Sequence, residues 1–141
     1  MENGKITVWV NNVQEVYEDG VCYLDIARQH QRDKKYPIVL ARCDGRLREL
    51  HKTVPDGCHL EFLTTESKAG HSTYARSLVL MMLKAIYHTV GDNSLIDRVG
   101  VHFAVNGGYY CTMQGKVKLT QEFLDQVKNS MQELAKAALP I

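Results

Sequence analysis

The spacing of apolar residues changes near Leu63, and this change sets the main limit on what the chain can fold into. Up to Leu63, short apolar runs separated by turn residues alternate with a period of about two, which is typical of half-buried strands. Beyond Leu63 the apolar residues recur with a period of about 3.6, which is typical of helices. We therefore predict an α+β fold with two domains, residues 1–65 and residues 66–141.

Turn residues divide the first half of the chain into two hairpins, a helix and a further strand. Asn11-Asn12 supplies the first hairpin turn and Asp44-Gly45 the second. Pro37 ends the connection that follows the helix, because a helix would not continue across it. The predicted elements are strands over 5–10, 13–17, 38–43, 46–50 and 59–63, and a helix over 23–31.

A long helix is predicted after the boundary. Its apolar stripe consists of residues at helical spacing, namely Ala75, Leu78, Val79, Met82, Ile86 and Val90. Further apolar residues around the stripe indicate a helix that is covered on more than one side. Gly91 and Asp92 are expected to end it.

A hairpin and a last helix complete the second half. Strands over 99–105 and 109–113 flank an Asn-Gly-Gly turn, and we expect the pair Tyr109-Tyr110 to lie in the core. Thr120 is a suitable N-cap for the last helix, and Pro140 cannot continue that helix. The apolar stripe of this helix is Phe123, Val127, Met131, Leu134 and Ala138.

Charge is spread unevenly, although the net charge of the chain is only +1. Residues 1–27 hold one basic and five acidic residues, a net charge of −4, whereas residues 28–52 hold eight basic and three acidic residues, a net charge of +5. Four of these basic residues lie on or beside the predicted hairpin around Asp44-Gly45, and they are the candidate ligand-binding residues: Arg42, Arg46, Arg48 and Lys52. They would contact the phosphates of a nucleotide or an RNA. The alternative is a solvated hairpin rim with acidic neighbours.

The four cysteines are far apart in the sequence and include no C-x-x-C pair; they are Cys22, Cys43, Cys58 and Cys111. We interpret them as reduced thiols, and with six scattered histidines we expect no metal site. The polar, charged amino terminus excludes a signal peptide, and no apolar run is long enough to span a bilayer. These features predict a cytoplasmic protein with no membrane partner.

Residues 5–65 resemble a TGS domain, the ubiquitin-like β-grasp module of threonyl-tRNA synthetases, certain GTPases and SpoT-type ppGpp enzymes. The resemblance is carried by four segments: Ile6-Thr7-Val8, Leu24-Asp25-Ile26-Ala27, the run from Ala41 to Leu50, and Leu60-Glu61-Phe62-Leu63-Thr64. The resemblance implies a β-grasp domain at the start of the chain.

Three later segments, in this order, resemble the amino-terminal editing domain of threonyl-tRNA synthetase: Gly70-His71-Ser72-Thr73, Asn106-Gly107-Gly108-Tyr109-Tyr110, and Leu119-Thr120-Gln121-Glu122-Phe123-Leu124. That domain acts through an H-x-x-x-H pair, but here Ala75 stands four residues after His71. Cys111 replaces the usual aspartate, and the expected later cysteine and histidine would lie beyond Ile141. We therefore expect a non-catalytic chain, with His71 as the one weak catalytic candidate.

The same pair of modules resembles the amino-terminal region of bacterial nucleoside kinases related to uridine kinase and phosphoribulokinase. The broken histidine pair fits that family, so the chain is expected to be a binding or regulatory module for a nucleotide or RNA. ATP and Mg²⁺ would serve only a downstream kinase domain, because Gly115-Lys116 is followed by Val117 where a phosphate loop needs Ser or Thr. No cofactor is expected in this chain.

Two alternatives stay open at this point. The chain could be a fragment or free-standing relative of the editing domain that acts on aminoacyl-tRNA, with His71 as the base. It could also serve assembly, pairing with a second copy of itself as a homodimer.

Overall fold

The computed structural model describes residues 4–139 and confirms the α+β prediction. The chain divides into two compact units, the first ending at Arg76 and the second beginning at Ser77. The division falls inside a long helix, α2 (Lys68–Val90). The predicted domain boundary after residue 65 stays a prediction.

The first unit is built around a five-stranded sheet. Its elements are β1 (Lys5–Val10), β2 (Val13–Glu18), α1 (Tyr23–His30), β3 (Ile38–Cys43), β4 (Arg46–Arg48) and β5 (His59–Thr64). The strand order is β2-β1-β5-β3-β4, with central β5 parallel to β1 and antiparallel to β3. This order agrees with the predicted β-grasp arrangement, while the narrower assignment to the TGS type stays a prediction.

The core of the first unit lies between the sheet and α1. Alternate residues of β1, namely Ile6, Val8 and Val10, are buried because successive strand side chains point to opposite faces. Tyr23, Ile26 and Ala27 of α1 join the same cluster, at the i, i+3, i+4 spacing that forms one helical face. The alternation that predicted these elements is therefore the pattern that builds the core.

The second unit contains the rest of α2, an antiparallel hairpin of β6 (Ile96–Val105) and β7 (Gly108–Gly115), and α3 (Gln121–Ala137). Its core is small and consists of Ala85, Ile86, Ile96, Phe123 and Val127. Leu80 is 54% exposed, so the expected covering of the long helix on more than one side is not found within residues 4–139. Among residues 4–139, no helix is both long enough and apolar enough to cross a membrane.

The tyrosines at the start of β7 are exposed, which corrects the prediction that they lie in the core. Tyr109 is 51% exposed and Tyr110 is 50% exposed. The reason is the width of the sheet: β6 and β7 form a sheet of two strands, which offers few neighbours for burying large rings.

Helix α3 begins as predicted. The backbone N–H of Phe123 donates to Thr120 Oγ1 at 3.2 Å, which confirms Thr120 as the N-cap. Ala138 follows the helix with a φ of 49° and is exposed, so it does not belong to the apolar stripe. The predicted stop at Pro140 lies outside the described residues.

Two of the four cysteines are paired, which corrects the interpretation of all four as reduced thiols. Cys43 and Cys58 form a disulfide, with Cα atoms 5.9 Å apart, whereas Cys22 and Cys111 are free. The paired cysteines are 15 positions apart in the sequence. Sequence spacing could not reveal the pair, because the antiparallel contact of β3 with β5 brings them together.

Candidate functional site

A polar pocket of about 420 Å³ lies at one end of the five-stranded sheet. Its residues come from the end of β1, the end of β3 and the start of β5, with the turns that follow β1 and β3: Trp9, Asn11, Asn12, Arg42, Asp44, Gly45, His59, Leu60 and Glu61. These strand ends meet because β5 starts beside the last residues of β1 and of β3. We call this feature the strand-end pocket.

Two tight hairpin turns form the rim of the strand-end pocket. Asn11 and Asn12 have φ angles of 50° and 68°, and Asp44 and Gly45 have φ angles of 49° and 79°. Two consecutive positive φ angles define the turn that best suits a two-residue hairpin, and Asn, Asp and Gly tolerate them. The sequence signals for these turns, Asn-Asn and Asp-Gly, are therefore confirmed.

An aromatic pair forms one wall of the strand-end pocket. Trp9 and His59 are paired across the parallel strands β1 and β5, and their rings stack with centroids 5.2 Å apart and an angle of 15° between the planes. Trp9 is half-buried and His59 is exposed. Such a pair presents flat ring surface on which a planar group such as a nucleobase can stack.

The charged wall of the strand-end pocket is an ion pair. Arg42 Nη1 lies 2.8 Å from Glu61 Oε2, across the antiparallel pair of β3 and β5. With 41% and 53% of the two side chains exposed, this pair contributes at most about 1 kcal/mol to stability. An anionic ligand could therefore compete with Glu61 for the Arg42 guanidinium at low cost.

The predicted basic cluster does not share one face. Arg42 lies opposite Leu47, whereas Arg46 lies opposite Cys43 and Arg48 opposite Ala41, so the register places Arg46 and Arg48 on the other face of the sheet. Lys52 lies beyond β4, with its Nζ 3.9 Å from Glu49 Oε2. Of the four candidates, Arg42 alone lines the strand-end pocket, and ligand binding by the four stays a prediction.

Position 44 joins the rim of the pocket to the core beneath it. Asp44 Oδ1 accepts a hydrogen bond from the backbone N–H of His59 at 3.0 Å. The other oxygen, Oδ2, lies 3.6 Å from Cys43 Sγ. The carboxylate is thereby held with one oxygen toward the start of β5 and the other toward the buried cysteines.

His71 lies in the first turn of α2 and is exposed, whereas Ala75, one turn later, is half-buried. The helix is capped by Ser67, whose Oγ accepts from the backbone N–H of Gly70 at 3.0 Å. A Cβ added at Gly70 would collide with the carbonyl oxygen of Thr64. The start of the helix is therefore held by Ser67 and Gly70, and a methyl group stands where a second imidazole would be needed.

A partly buried polar cluster joins β2 to the end of α1. The Tyr17 hydroxyl donates to Glu15 Oε2, and His30 Nε2 lies 3.1 Å from the same oxygen. Burial, reinforced by the hydrogen bond and the charge of Glu15, raises the pKa of Tyr17 above its ordinary value. Because the three groups satisfy one another, we interpret the cluster as structural.

The second unit offers two surfaces of its own. An exposed aromatic group on the hairpin consists of His102, Phe103 and Tyr110, with the Phe103 and Tyr110 rings stacked at 5.3 Å. An apolar pocket of about 340 Å³ lies between α2 and the end of α3, lined by Leu80, Met81, Leu83, Lys84, Tyr87, Leu134 and Leu139. The apolar pocket has few polar groups to orient a ligand.

Trp9 and His59 are site residues that the sequence did not predict. They are 50 positions apart, and only the parallel pairing of β1 with β5 brings them together. The available signal was weak: an aromatic residue and a histidine each stood at the outward position of a predicted strand. Local patterns place such residues on a face but do not say which strands are neighbours.

No family profile matches the chain. It is similar to the threonine–tRNA ligase of Natranaerobius thermophilus, 26% identical over 140 residues, which is 97% of this chain and 21% of that ligase. The ligase of Rubrobacter xylanophilus is 28% identical over 117 residues, 83% of this chain and 18% of the ligase. That of Thermus thermophilus is 25% identical over 126 residues, 87% of this chain and 19% of the ligase.

The chain thus spans about a fifth of the length of the curated relatives it matches. The similarity runs through both units, since the first of these matches covers nearly the whole chain. These relatives support the resemblance to threonyl-tRNA synthetase, and they support the interpretation as its relative better than the nucleoside kinase interpretation.

Proposed function

We propose that this chain is a non-catalytic, RNA-binding relative of the amino-terminal part of threonyl-tRNA synthetase. The observation that carries the proposal is the strand-end pocket, where the stacked rings of Trp9 and His59 lie beside the guanidinium of Arg42. A flat ring surface beside a cation suits an unpaired nucleobase and the phosphate attached to it. Similarity to threonine–tRNA ligases over 97% of the chain makes a tRNA the first RNA to test.

The pocket divides binding between stacking and charge. A nucleobase would extend the stack of Trp9 on His59, and its phosphate would take the place of Glu61 beside Arg42. Stacking depends little on salt, whereas the phosphate contact weakens as salt rises. The two contributions can therefore be separated by varying ionic strength.

The absence of catalysis rests on the start of α2. The editing chemistry of the resembling domain uses two imidazoles one helical turn apart, and His71 has Ala75 in that place. A methyl group neither accepts a proton nor ligates a metal.

The test is titration of the full chain with a threonine tRNA transcript at low salt, followed by gel shift or fluorescence anisotropy. His59→Ala should weaken binding about fivefold to 150-fold, the loss expected for one stacked base. Arg42→Gln should weaken it and reduce the slope of log affinity against log salt by about one.

Lys136→Gln is the matched control, because Lys136 Nζ lies 2.8 Å from Glu133 Oε1 and the pair is exposed. Like Arg42→Gln, it removes the positive charge from an ion pair whose nitrogen–oxygen distance is 2.8 Å. Because Lys136 lies on a helix of the second unit, this change should leave RNA binding nearly unchanged. Failure of the unaltered chain to bind tRNA at low salt, or equal losses in all three variants, would remove the proposal.

A second candidate is a deacylase that hydrolyses mischarged aminoacyl-tRNA, with His71 as the base. The observation in its favour is that His71 stands exposed in the first turn of α2, where the first histidine of the editing pair is expected. We expect no release of serine from seryl-tRNA by the full chain. Release that is abolished in His71→Ala would establish the deacylase instead.

The regulatory module of a nucleoside kinase is the third candidate, favoured by the substitution of Ala75 for the second histidine. Under this interpretation, a separate downstream domain would carry out the kinase chemistry with ATP and Mg²⁺. The coding sequence that follows residue 141 would decide between the contexts. A GxxxxGK[ST] loop there would favour the kinase, and a class II synthetase core would exclude it.

A further inference from the structure

Three side chains of metal-binding type converge beneath the strand-end pocket. One donor atom from each of Cys43, Asp44 and Cys58 lies within 4.8 Å of the others. Cys43 is the last residue of β3 and Cys58 immediately precedes β5, and the two are 15 positions apart. The fold therefore brings together three metal-binding side chains whose spacing in the sequence does not match a known metal-binding motif.

The backbone holds both thiols in place. Cys43 ends β3, where it is paired with Arg46 on one side and Leu60 on the other. The carbonyl oxygen of Cys58 accepts from the backbone N–H of Trp9 at 2.9 Å. With Cys43 4% exposed and Cys58 fully buried, both sulfur atoms are enclosed beneath the strand-end pocket.

Asp44 is held equally firmly. Its backbone φ is 49°, its N–H donates to the carbonyl oxygen of His59 at 3.0 Å, and Oδ1 accepts from the N–H of His59. The remaining oxygen, Oδ2, faces Cys43 Sγ at 3.6 Å. Asp44 also lines the strand-end pocket and is exposed, so the donor set has a route to solvent.

We propose that Cys43, Asp44 and Cys58 form a Zn²⁺ site when the disulfide is reduced. Reduction by a dithiol transfers two electrons and two protons to the sulfur atoms, breaking the S–S bond and leaving the dithiol as its own disulfide. Zn²⁺ then binds two thiolates and one carboxylate, and the two thiol protons are released to solvent. Thiolates with a carboxylate suit Zn²⁺, which accepts sulfur and oxygen ligands together.

The geometry requires only a small adjustment. Tetrahedral Zn²⁺ with Zn–S bonds of about 2.3 Å sets its sulfur ligands about 3.8 Å apart. After reduction the two sulfur atoms must therefore separate from bonding distance, and side-chain rotation on Cα atoms that are 5.9 Å apart can supply this change. Three protein ligands leave a fourth position, and on the Asp44 side this position opens toward the strand-end pocket, where water can fill it.

The experiment uses the full chain, reduced with a phosphine, cleared of the reductant and titrated with Co²⁺ and then with Zn²⁺. One equivalent of Co²⁺ should give the near-ultraviolet charge-transfer band of cobalt bound to thiolate, and Zn²⁺ should displace it. Cys43→Ser and Cys58→Ser should each remove the band. Asp44→Asn keeps both thiols and should weaken Co²⁺ binding by about tenfold or more.

Cys22→Ser and Cys111→Ser are the matched controls, because these free cysteines lie outside the cluster. They should bind one equivalent of Co²⁺ with unchanged affinity. Circular dichroism checks that each variant is folded, and Asp44→Asn, which changes an exposed side chain, gives a result even if a buried cysteine variant unfolds. The site is disproved if the reduced chain binds no Co²⁺, or if binding follows Cys22 or Cys111. Because metal binding is measured without RNA, this outcome is independent of the proposed RNA binding.

Discussion

The two units differ in how completely they bury their apolar residues. Within the described residues, the first unit gathers 13 buried residues into one cluster against a five-stranded sheet, whereas the second gathers five, and its sheet has two strands. Phe103 in the second unit is 61% exposed, while Phe62 in the first is 4% exposed. The first unit therefore has the larger and better enclosed core, and truncating a buried side chain there should cost more stability than truncating one in the second unit.

The largest effect is expected in the first unit. Ile26→Ala should lower the free energy of unfolding by about 2–5 kcal/mol, because Ile26 is fully buried and its neighbours cannot collapse into the cavity. Urea denaturation followed by circular dichroism measures the change. The control is Val16→Ala, whose side chain is 57% exposed, and which should change stability by no more than about 0.5 kcal/mol. Equal effects of the two changes would contradict the described core.

The matched substitution in the second unit should lower the free energy of unfolding by less than Ile26→Ala does. Ile86→Ala should lower the free energy of unfolding by about 2 kcal/mol, the lower end of the range, because Ile86 is 8% exposed and belongs to a small cluster. The same denaturation experiment compares it directly with Ile26→Ala. A cost for Ile86→Ala that exceeds the cost for Ile26→Ala would reverse the proposed difference between the units.

The N-cap of α3 should contribute an intermediate amount. Thr120→Ala removes the hydroxyl that accepts from the N–H of Phe123, and should lower stability by about 1 kcal/mol. Thr120→Ser keeps a hydroxyl at that position and should restore most of the loss. If serine and alanine behave alike in thermal unfolding, the hydrogen bond is not the source of the effect.

The smallest effect at neutral pH is expected for Tyr17. Tyr17→Phe should cost about 0.5 kcal/mol at pH 7, because it removes one partly exposed hydrogen bond to Glu15. The pKa of Tyr17 is raised in the folded state, so the neutral phenol is favoured, and this stabilisation is present below the ordinary pKa of 10.0 and is lost as the pH rises above it.

Stability should therefore fall less steeply above pH 10.0 in Tyr17→Phe than in the unaltered chain. Tyr23, whose pKa is also raised, mainly by burial, contributes equally to both proteins and cancels in the comparison. Denaturation at a series of alkaline pH values measures the two slopes. Identical slopes would mean that Tyr17 does not titrate differently in the folded and unfolded chains.

Local sequence patterns predicted the elements of this fold well. The Asn-Asn and Asp-Gly turns and the Thr120 cap depend on neighbouring residues, and the structure confirms all three. The strand-end pocket was largely missed, because Trp9 and His59 meet only through pairing between distant strands. The sequence placed four basic residues on or beside the Asp44-Gly45 hairpin, but it does not fix which residues of β3 and β4 lie opposite each other, so it could not show that Arg42 lies on a different face from Arg46 and Arg48.

The exposed tyrosines show a second limit of local sequence patterns, which is that they do not determine burial. Tyr109 and Tyr110 were expected in the core because large aromatic residues are usually buried. Burial depends on how many strands and helices surround a side chain, and a two-stranded hairpin supplies few of them. The number of neighbouring elements is a property of the complete fold, and short sequence windows do not contain it.

The crowded position of Gly70 changes how the resemblance around His71 should be weighed. A glycine is required there for space, because any side chain would meet the carbonyl oxygen of Thr64 where the helix leaves the sheet. A chain that no longer catalyses the editing reaction would still need this glycine in order to fold. A match at Gly70 therefore indicates a shared backbone arrangement at the start of the helix. Evidence for or against editing chemistry must come from the positions at which the editing domain carries histidines.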